Sequence, residues 1–262
     1  LLNASSQWEE EKQDVFAAYT HALLWFVTGD HRHADTAIAI MDAWSGAFLA
    51  PPDLAAGLQA AWSAAVWPRA AEIIRHTTGG RWPAARVSAF ERMLMRVYLP
   101  LVDKGASTNG NIGMVMTEAA LHIGVFTDNI TTVRRAISLW RGQAPSYLYS
   151  SSDGALPRRP PAQRYLAHTS PVCSPTCNDT MLIEYWHGQR SFLGHDGLCQ
   201  ETCRDLRHAV LGMSTFVNAA ETAYHQGIDL YAEVAERAVA AHELHAGLYN
   251  ASLLDQSART SI

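Results

Sequence analysis

The feature of the sequence that most restricts its fold is a helical periodicity that runs through the first 140 residues with few interruptions. Apolar residues recur three and four positions apart, which places them on one face of an α-helix. Glycine, asparagine and proline interrupt the pattern where helices are expected to end. The pattern predicts helices at 7–27, 31–46, 53–76, 83–98, 109–126 and 131–140, and we expect Pro68 to break or kink the third of them.

The second half of the chain begins with a segment of different composition, residues 143–198, in which proline, serine and glycine are frequent. This composition predicts a long irregular segment, and its aromatic residues favour an ordered one. Helical periodicity returns at 200–225 and 230–245. We therefore expect an all-α protein whose antiparallel helix pairs form an α/α toroid, an incomplete barrel. Residues 1–262 would make a single domain, with 143–198 as a loop insertion over its cleft.

Composition and charge exclude several classes of protein. Apolar residues make up 48% of the chain and charged residues 17%, which is typical of a globular protein rather than a disordered one. The net charge of −5 argues against a protein that binds nucleic acid through bulk positive charge. Because no apolar run approaches the roughly 20 residues of a membrane span, we expect neither a nucleic-acid nor a membrane partner.

N-glycosylation motifs point to the secretory route. Four of the seven asparagines stand in N-x-[ST] motifs, where chance predicts about one. These four are Asn3, Asn129, Asn178 and Asn250. We therefore expect a glycosylated protein that is secreted and extracellular.

The four cysteines form two close pairs, Cys173 with Cys177 and Cys199 with Cys203. An even number suits two disulfides in a secreted protein. Three pairings are open, and the sequence does not choose between them. A bridge from Cys199 to Cys203 inside a regular helix would be strained, which makes cross-pairing of the two clusters plausible. The alternative is a zinc site, but C-x3-C differs from the familiar C-x2-C spacing, so we expect no metal.

The most informative candidate site lies at 200–208. On a helix, Gln200, Arg204 and His208 would share one face and present an amide, a guanidinium and an imidazole together. Such a face suits a carboxylate ligand, with the imidazole available for proton transfer. The alternative is a solvated ion pair of Arg204 with Glu201 or Asp205, with His208 as a spacer.

Two further clusters are candidates. Asn109 and Asn111 stand at the start of the fifth predicted helix, although asparagine there is also an ordinary helix cap. Tyr185, Trp186 and Gln189 combine aromatic and polar groups, as sugar-binding surfaces do, although loop aromatics more often pack internally. Nucleotide-binding, metalloprotease and serine-hydrolase motifs are absent, and we expect no cofactor.

Several segments resemble, in order, the alginate lyase family of α/α-toroid polysaccharide lyases. The most specific are QETCRDLRH at 200–208 and AETAYHQGIDLY at 220–231. The others are ALLWFVTGD at 22–30, AIAIMDAWS at 37–45, AEIIR at 71–75 and NGN at 109–111. The resemblance implies an enzyme that cleaves a uronic-acid polymer, of the glucuronan or alginate type, by β-elimination.

The resemblance also implies roles for individual residues. Asn111 and Arg204 would neutralise the substrate carboxylate, His208 would assist or act as base, and Tyr185 would transfer a proton. Further substrate-binding residues would be Asn109, Tyr165, Trp186, Gln189, Gln200 and Glu201. The family often has a tyrosine about two turns after the arginine, where this chain has Val210 and Leu211. The alternative is therefore a non-catalytic relative that binds acidic glycans and has lost the proton-transfer tyrosine.

Overall fold

The structure is a computed structural model that describes residues 4–47, 56–103, 109–161 and 173–260. Within these ranges the regular secondary structure is helical, apart from one isolated bridge between Leu148 and Cys199. The expected all-α class is confirmed. No helix in the described part of the chain is both long enough and apolar enough to cross a membrane.

The helices follow one another in ten α-helical elements among the described residues. They are α1 (Ala4–Thr28), α2 (His31–Ala47), α3 (Ala56–Thr77), α4 (Ala84–Met93), α5 (Leu99–Val102), α6 (Gly110–Phe126), α7 (Ile130–Tyr147), α8 (Asp179–Tyr185), α9 (Leu206–His225) and α10 (Leu230–Thr260). A π-helical turn, Leu94–Tyr98, joins α4 to α5, and a 3-10 turn, Ser151–Asp153, follows α7.

The chain divides into two compact units. The first comprises Leu1–Lys104 and Val115–Ala136, and the second comprises Gly105–Met114 and Ile137–Ile262. A single domain over 1–262 therefore stays a prediction, which this division neither confirms nor refutes.

The first unit is built on α1, which packs against α2 and α3. Its core contains a group of edge-to-face aromatic contacts, in which the Phe90 ring meets the rings of Trp67, Trp82 and Phe126 at centroid distances of 5.8, 5.5 and 5.9 Å. Such contacts add about 0.5–1.5 kcal/mol each to the burial of the rings themselves.

The second unit contains α8, α9 and α10 and the end of α7. The Trp140 ring on α7 stacks on Phe216 of α9 at 4.8 Å, and its Nε1–H donates to the Phe216 carbonyl oxygen. A separate apolar cluster holds the irregular segment after α7. Its buried members are Tyr149, Cys173, Cys177, Leu182, Tyr185, Trp186, Phe192 and Leu198. The described aromatic residues in this cluster, Tyr149, Tyr185, Trp186 and Phe192, are buried, which agrees with the expectation of an ordered segment.

Pro68 does not break α3, which runs unbroken from Ala56 to Thr77. A proline removes one backbone donor from its turn. The acceptor that Pro68 leaves without its helical donor is the Ala64 carbonyl oxygen. The next carbonyl along, that of Ala65, has a side-chain donor as well, because it lies 2.7 Å from His122 Nδ1.

Three other boundaries differ clearly from prediction. Helix α7 continues to Tyr147 rather than 140, and α10 continues to Thr260 rather than 245. Helix α9 begins at Leu206, so the predicted helix start at residue 200 is wrong. The Asp205 side chain caps α9 by accepting a hydrogen bond from the His208 N–H, and this local bond sets the helix start.

The expectation of two disulfides is also wrong, and the cross-pairing that was plausible is not found. Cys173 and Cys177 form a disulfide, whereas Cys199 and Cys203 are free thiols, one buried and one exposed. The turn at 173–177 holds the two Cα atoms 5.3 Å apart, within the range that a disulfide requires. The segment therefore closes on itself rather than onto the turn before α9.

Candidate functional site

A small pocket in the second unit brings together six of the predicted site residues. Its lining comes from the start of α6, the end of α8 and the turn before α9. The lining residues are Asn109, Gly110, Asn111, Ile112, Tyr185, Gln200, Glu201 and Arg204. The pocket leaves about 10 Å³ for the centre of a water-sized group. It therefore fits one polar atom of a ligand lying across its mouth rather than a whole sugar ring.

Glu201 is the central charged group of the pocket. Its Oε1 accepts hydrogen bonds from Asn111 Nδ2 (2.5 Å) and Arg204 Nη1 (2.9 Å), and its Oε2 accepts from the Asn111 backbone N–H (3.3 Å) and the Tyr147 hydroxyl (2.9 Å). Burial raises the pKa of Glu201, and the bonds from Tyr147 and Asn111 and the charge of Arg204 oppose that rise. Since all four partners are donors, the ionised carboxylate accepts every one of them.

Arg204 connects this buried carboxylate to the surface. Its side chain is 29% exposed, its Nη1 bonds Glu201, and its Nε lies 4.0 Å from Asp205 Oδ2. Among the described residues, its Nη2 has no hydrogen-bond partner. The pairing with Glu201 and Asp205 that we considered as the alternative is therefore present, but its main partner is buried rather than solvated.

Two buried amide oxygens in the pocket accept no hydrogen bond from the described residues. Asn109 Nδ2 donates to the Cys173 carbonyl oxygen (3.1 Å), and Gln200 Nε2 donates to the Tyr185 carbonyl oxygen. Because a carbonyl oxygen can only accept, these bonds fix which end of each amide is nitrogen. Asn109 Oδ1 and Gln200 Oε1 then remain buried without a described donor. An unsatisfied buried acceptor costs about 1–3 kcal/mol, so both favour a donor from a ligand or water.

Gly110 and Tyr185 close the side of the pocket. The Gly110 N–H donates to the Tyr185 hydroxyl oxygen at 3.2 Å. An N–H that donates to a phenol oxygen favours negative charge on that oxygen. Gly110 has a φ of +66°, and a Cβ at this position would lie 3.0 Å from Gln200 Oε1. Both the backbone conformation and the room for the amide therefore require glycine.

His208 does not line the pocket, although it lies close to it. Its Nδ1 lies 2.6 Å from Asp205 Oδ2, and its carbonyl oxygen is 3.5 Å from the Tyr147 hydroxyl that also bonds Glu201. The helical face predicted for 200–208 is wrong, because residues before Leu206 form turns. Gln200 and Arg204 nevertheless reach one pocket through those turns.

Two other predicted residues, Trp186 and Gln189, do not line the pocket. Trp186 is buried and packs edge-to-face on Phe192, so its ring offers no open platform. The Gln189 side chain donates to the Ser191 carbonyl oxygen and accepts from the Cys203 thiol. Tyr165 lies outside the described residues. The roles assigned to all ten site residues stay predictions.

Two residues of the site were not predicted from the sequence. Tyr147 holds Glu201 from the end of α7, and no spacing rule connects these two residues. Asp205 fixes both the start of α9 and the His208 ring. Aspartate is a common N-cap residue, and its position three residues before His208 fits a helix cap. The predicted helix began at residue 200, so Asp205 was assigned to the helix interior and not to its start.

The described residues also bear on metal binding and on the predicted glycan acceptors. Within the part of the chain that the structure describes, no group of three or more His, Cys, Asp or Glu side chains is arranged to hold a metal ion. Asn178 and Asn250 are exposed, and Asn129 is partly exposed. Asn3 lies outside the described residues, so glycosylation stays a prediction at all four.

Comparison with other proteins identifies no relative. No protein-family model, no curated protein and no solved structure matches this chain. The function of the pocket has to be inferred from its own chemistry, together with the resemblance of segments such as 200–208.

Proposed function

We propose that this chain is a polysaccharide lyase that cleaves a uronic-acid-containing polymer, of the glucuronan or alginate type, by β-elimination. One observation carries the proposal: Arg204 lines the same pocket as the buried oxygens of Asn109 and Gln200, which accept no hydrogen bond from the described residues. A uronate presents the matching groups, a carboxylate for the guanidinium and hydroxyl donors for the amide oxygens. The resemblance of 109–111 and 200–208 to the alginate lyase family supports the same assignment.

The chemistry requires a bound carboxylate because the proton at C5 of a uronate is only weakly acidic. Arg204 would bind the carboxylate and stabilise the negative charge that develops on it as the C5 proton leaves. A base accepts that proton and an acid protonates the departing O4. In this proposal His208 and Tyr185 are the proton-transfer residues, and Asn111 acts by holding Glu201 against Arg204.

Glu201 modulates the charge that a ligand would meet. Its carboxylate competes with an incoming carboxylate for the Arg204 guanidinium. Since burial raises the pKa of Glu201, its protonation is easier than that of a solvated carboxyl group. We therefore expect an anionic ligand to bind more tightly at mildly acidic pH.

The wider assignment is an α/α toroid, secreted and glycosylated. Two observations support it, namely the all-helical described chain and the Cys173–Cys177 disulfide, which suits an oxidising compartment. Expression in a eukaryotic secretory host, followed by enzymatic removal of N-glycans, tests whether the protein is secreted and glycosylated. An unchanged mass after that treatment would contradict glycosylation.

The second candidate is a non-catalytic protein that binds acidic glycans. The observation in its favour is that Val210 and Leu211 occupy the place of the expected tyrosine, and both side chains are exposed. A protein of this kind would bind polyuronate and release no product.

The test is to incubate the full chain with a panel of uronans and follow new unsaturated ends by near-ultraviolet absorbance. We expect absorbance to grow on at least one uronan, and Arg204→Ala to lower kcat/KM by about 100-fold or more. Arg207→Ala is the matched control, because Arg207 is an exposed neighbour that does not line the pocket. Binding without any product would favour the second candidate, and equal losses in the two variants would refute the role of Arg204.

A further inference from the structure

We propose that Asp205 is a positioning residue, which holds the His208 imidazole with its proton on Nδ1 and so leaves Nε2 as the proton acceptor of the site. This inference rests on the proposed lyase function and identifies its base. Two contacts join these residues. Asp205 Oδ2 lies 2.6 Å from His208 Nδ1, and Asp205 Oδ1 accepts the His208 backbone N–H at 2.8 Å.

The tautomer follows from the chemistry of the two partners. An ionised carboxylate has only acceptor atoms, so the nitrogen that it contacts must carry a proton. Asp205 is ionised at neutral pH because the hydrogen bonds from His208 lower its pKa, against the opposing effect of burial. A neutral imidazole with its proton on Nδ1 has a free electron pair on Nε2. No described residue bonds Nε2, and the His208 side chain is 31% exposed.

The backbone of α9 makes this arrangement rigid. Asp205 is the N-cap of α9 and His208 is the third residue of the helix, so the carboxylate is held by the helix start itself. Both oxygens of the carboxylate are used, one for the backbone and one for the ring. The cap is thus a structural bond that also sets the protonation state of a side chain.

The imidazole is near the groups that would bind the substrate carboxylate. Arg204 Nε is 4.0 Å from the same Asp205 oxygen that contacts His208. The Tyr147 hydroxyl bonds Glu201 and also lies 3.5 Å from the His208 carbonyl oxygen. The turn before α9 thus places a carboxylate receptor and an oriented base next to each other.

Among the described residues, His187 beyond the end of α8 is a further titratable group that faces this cluster. Burial lowers the pKa of His187 first, and the charges of Arg204 and His208 lower it further. His187 is therefore neutral at neutral pH and adds no charge beside His208. In the described part of the chain, the charged groups in contact with this cluster are Asp205 and Arg204, with Glu201 reached through Tyr147.

In the proposed reaction His208 Nε2 takes the C5 proton of the uronate. The electron pair of the C5–H bond forms the C4=C5 double bond, and the C4–O4 bond breaks with its electron pair on O4. The Tyr185 hydroxyl gives O4 a proton and recovers one from solvent, to which the imidazolium loses the proton it accepted. Atoms and charge balance without a metal ion, an oxidant or a reductant.

The decisive comparison is between Asp205→Asn and Asp205→Ser. Both residues cap helices well, so we expect the two variants to fold with similar stability. The asparagine oxygen can accept the His208 N–H, which turns its NH2 group toward Nδ1. Two donors cannot face each other, so the His208 proton moves to Nε2 and the base is lost. Serine keeps the cap and leaves the ring without a partner, so both tautomers are populated.

The readouts are the nitrogen resonances of the His208 ring, recorded by NMR on the full chain at neutral pH, and kcat on the uronan that is cleaved. We expect an Nδ1–H ring in the wild type, an Nε2–H ring in Asp205→Asn and a mixture in Asp205→Ser. We also expect kcat to fall about 100-fold or more in Asp205→Asn, which is the usual contribution of a general base, and less in Asp205→Ser.

The outcomes separate this inference from the proposed function. An Nε2–H ring in the wild type, or equal rates in Asp205→Asn and Asp205→Ser, would overturn the positioning role of Asp205. If the wild type cleaves no uronan, the lyase function and the base role of His208 fail together. The NMR comparison then still decides, independently of activity, whether Asp205 sets the tautomer.

Discussion

Asn111 donates two hydrogen bonds to the carboxylate of Glu201, one from its side chain at 2.5 Å and one from its backbone at 3.3 Å, across 90 positions of sequence. Both residues are buried. The first turn of α6 is thereby tied to the turn before α9. The bond from Arg204 to Glu201 extends this connection to the surface of the pocket.

We expect Asn111→Ala to lower the free energy of unfolding by about 1.5–3 kcal/mol, because it removes a donor from a buried charged acceptor. Denaturant unfolding of the full chain measures this change. Glu243→Ala is the control, since Glu243 is exposed on α10 and lies outside the glycosylation motifs, and its effect should stay within about 0.5 kcal/mol. Equal effects of the two substitutions would contradict the importance of this bond.

Gly212 is the second position at which the network can be tested. A Cβ on Gly212 would lie 1.8 Å from the Tyr147 hydroxyl oxygen, the atom that bonds Glu201. Gly212→Ala must therefore displace Tyr147, and we expect it to destabilise the protein by about 1–3 kcal/mol. Gly247→Ala, in α10, meets nothing within 4 Å and should instead stabilise by about 0.5–1 kcal/mol. The thermal midpoints of the two variants should thus move in opposite directions, and a shift in the same direction would count against the displacement of Tyr147.

Most helices were predictable because their periodicity is local. The observed bounds of α1, α2 and α6 lie within a few residues of prediction. The buried face was less predictable: in α1 the small residues Ala18 and Ala22 are buried, whereas Phe26 is exposed. The start of α9 was not predicted, because residues 200–204 are compatible with a helix and the Asp205 cap decides the boundary. A local side-chain bond of this kind has little effect on hydrophobic periodicity.

The candidate site was predictable in its residue types but not in its connections. The amides of Asn109 and Gln200 were singled out, but their oxygens are left without a described donor only because two backbone carbonyls take their NH2 groups. Those carbonyls belong to Cys173 and Tyr185, which folding brings to the pocket from distant positions. Contacts of this kind depend on tertiary packing and leave no trace in sequence spacing.

Glu11 in the first unit should make stability depend on pH. It is fully buried on α1, where its Oε1 accepts hydrogen bonds from the Tyr98 hydroxyl at 2.6 Å and from Trp67 Nε1 at 3.4 Å. No described residue bonds its Oε2, and no described cation pairs with it. Burial raises the pKa of Glu11, and the hydrogen bonds from Tyr98, Ser63 and Trp67 oppose this rise without cancelling it.

The sign of the effect follows from proton linkage. A carboxyl group whose pKa is higher in the folded chain than in the unfolded chain binds its proton more tightly when folded. Its contribution to stability is complete below the unfolded value near 4.5 and is lost as pH rises through the folded-state pKa. The free energy of unfolding of the wild type relative to Glu11→Gln should therefore fall as pH rises above 4.5, by at most about 1.4 kcal/mol per pH unit.

Denaturant unfolding of both proteins over a pH series measures this difference. Glu10→Gln, a substitution of the exposed neighbour, is the control. If the difference between wild type and Glu11→Gln stays constant over the pH series, the folded chain binds the Glu11 proton no more tightly than the unfolded chain does, which contradicts the prediction.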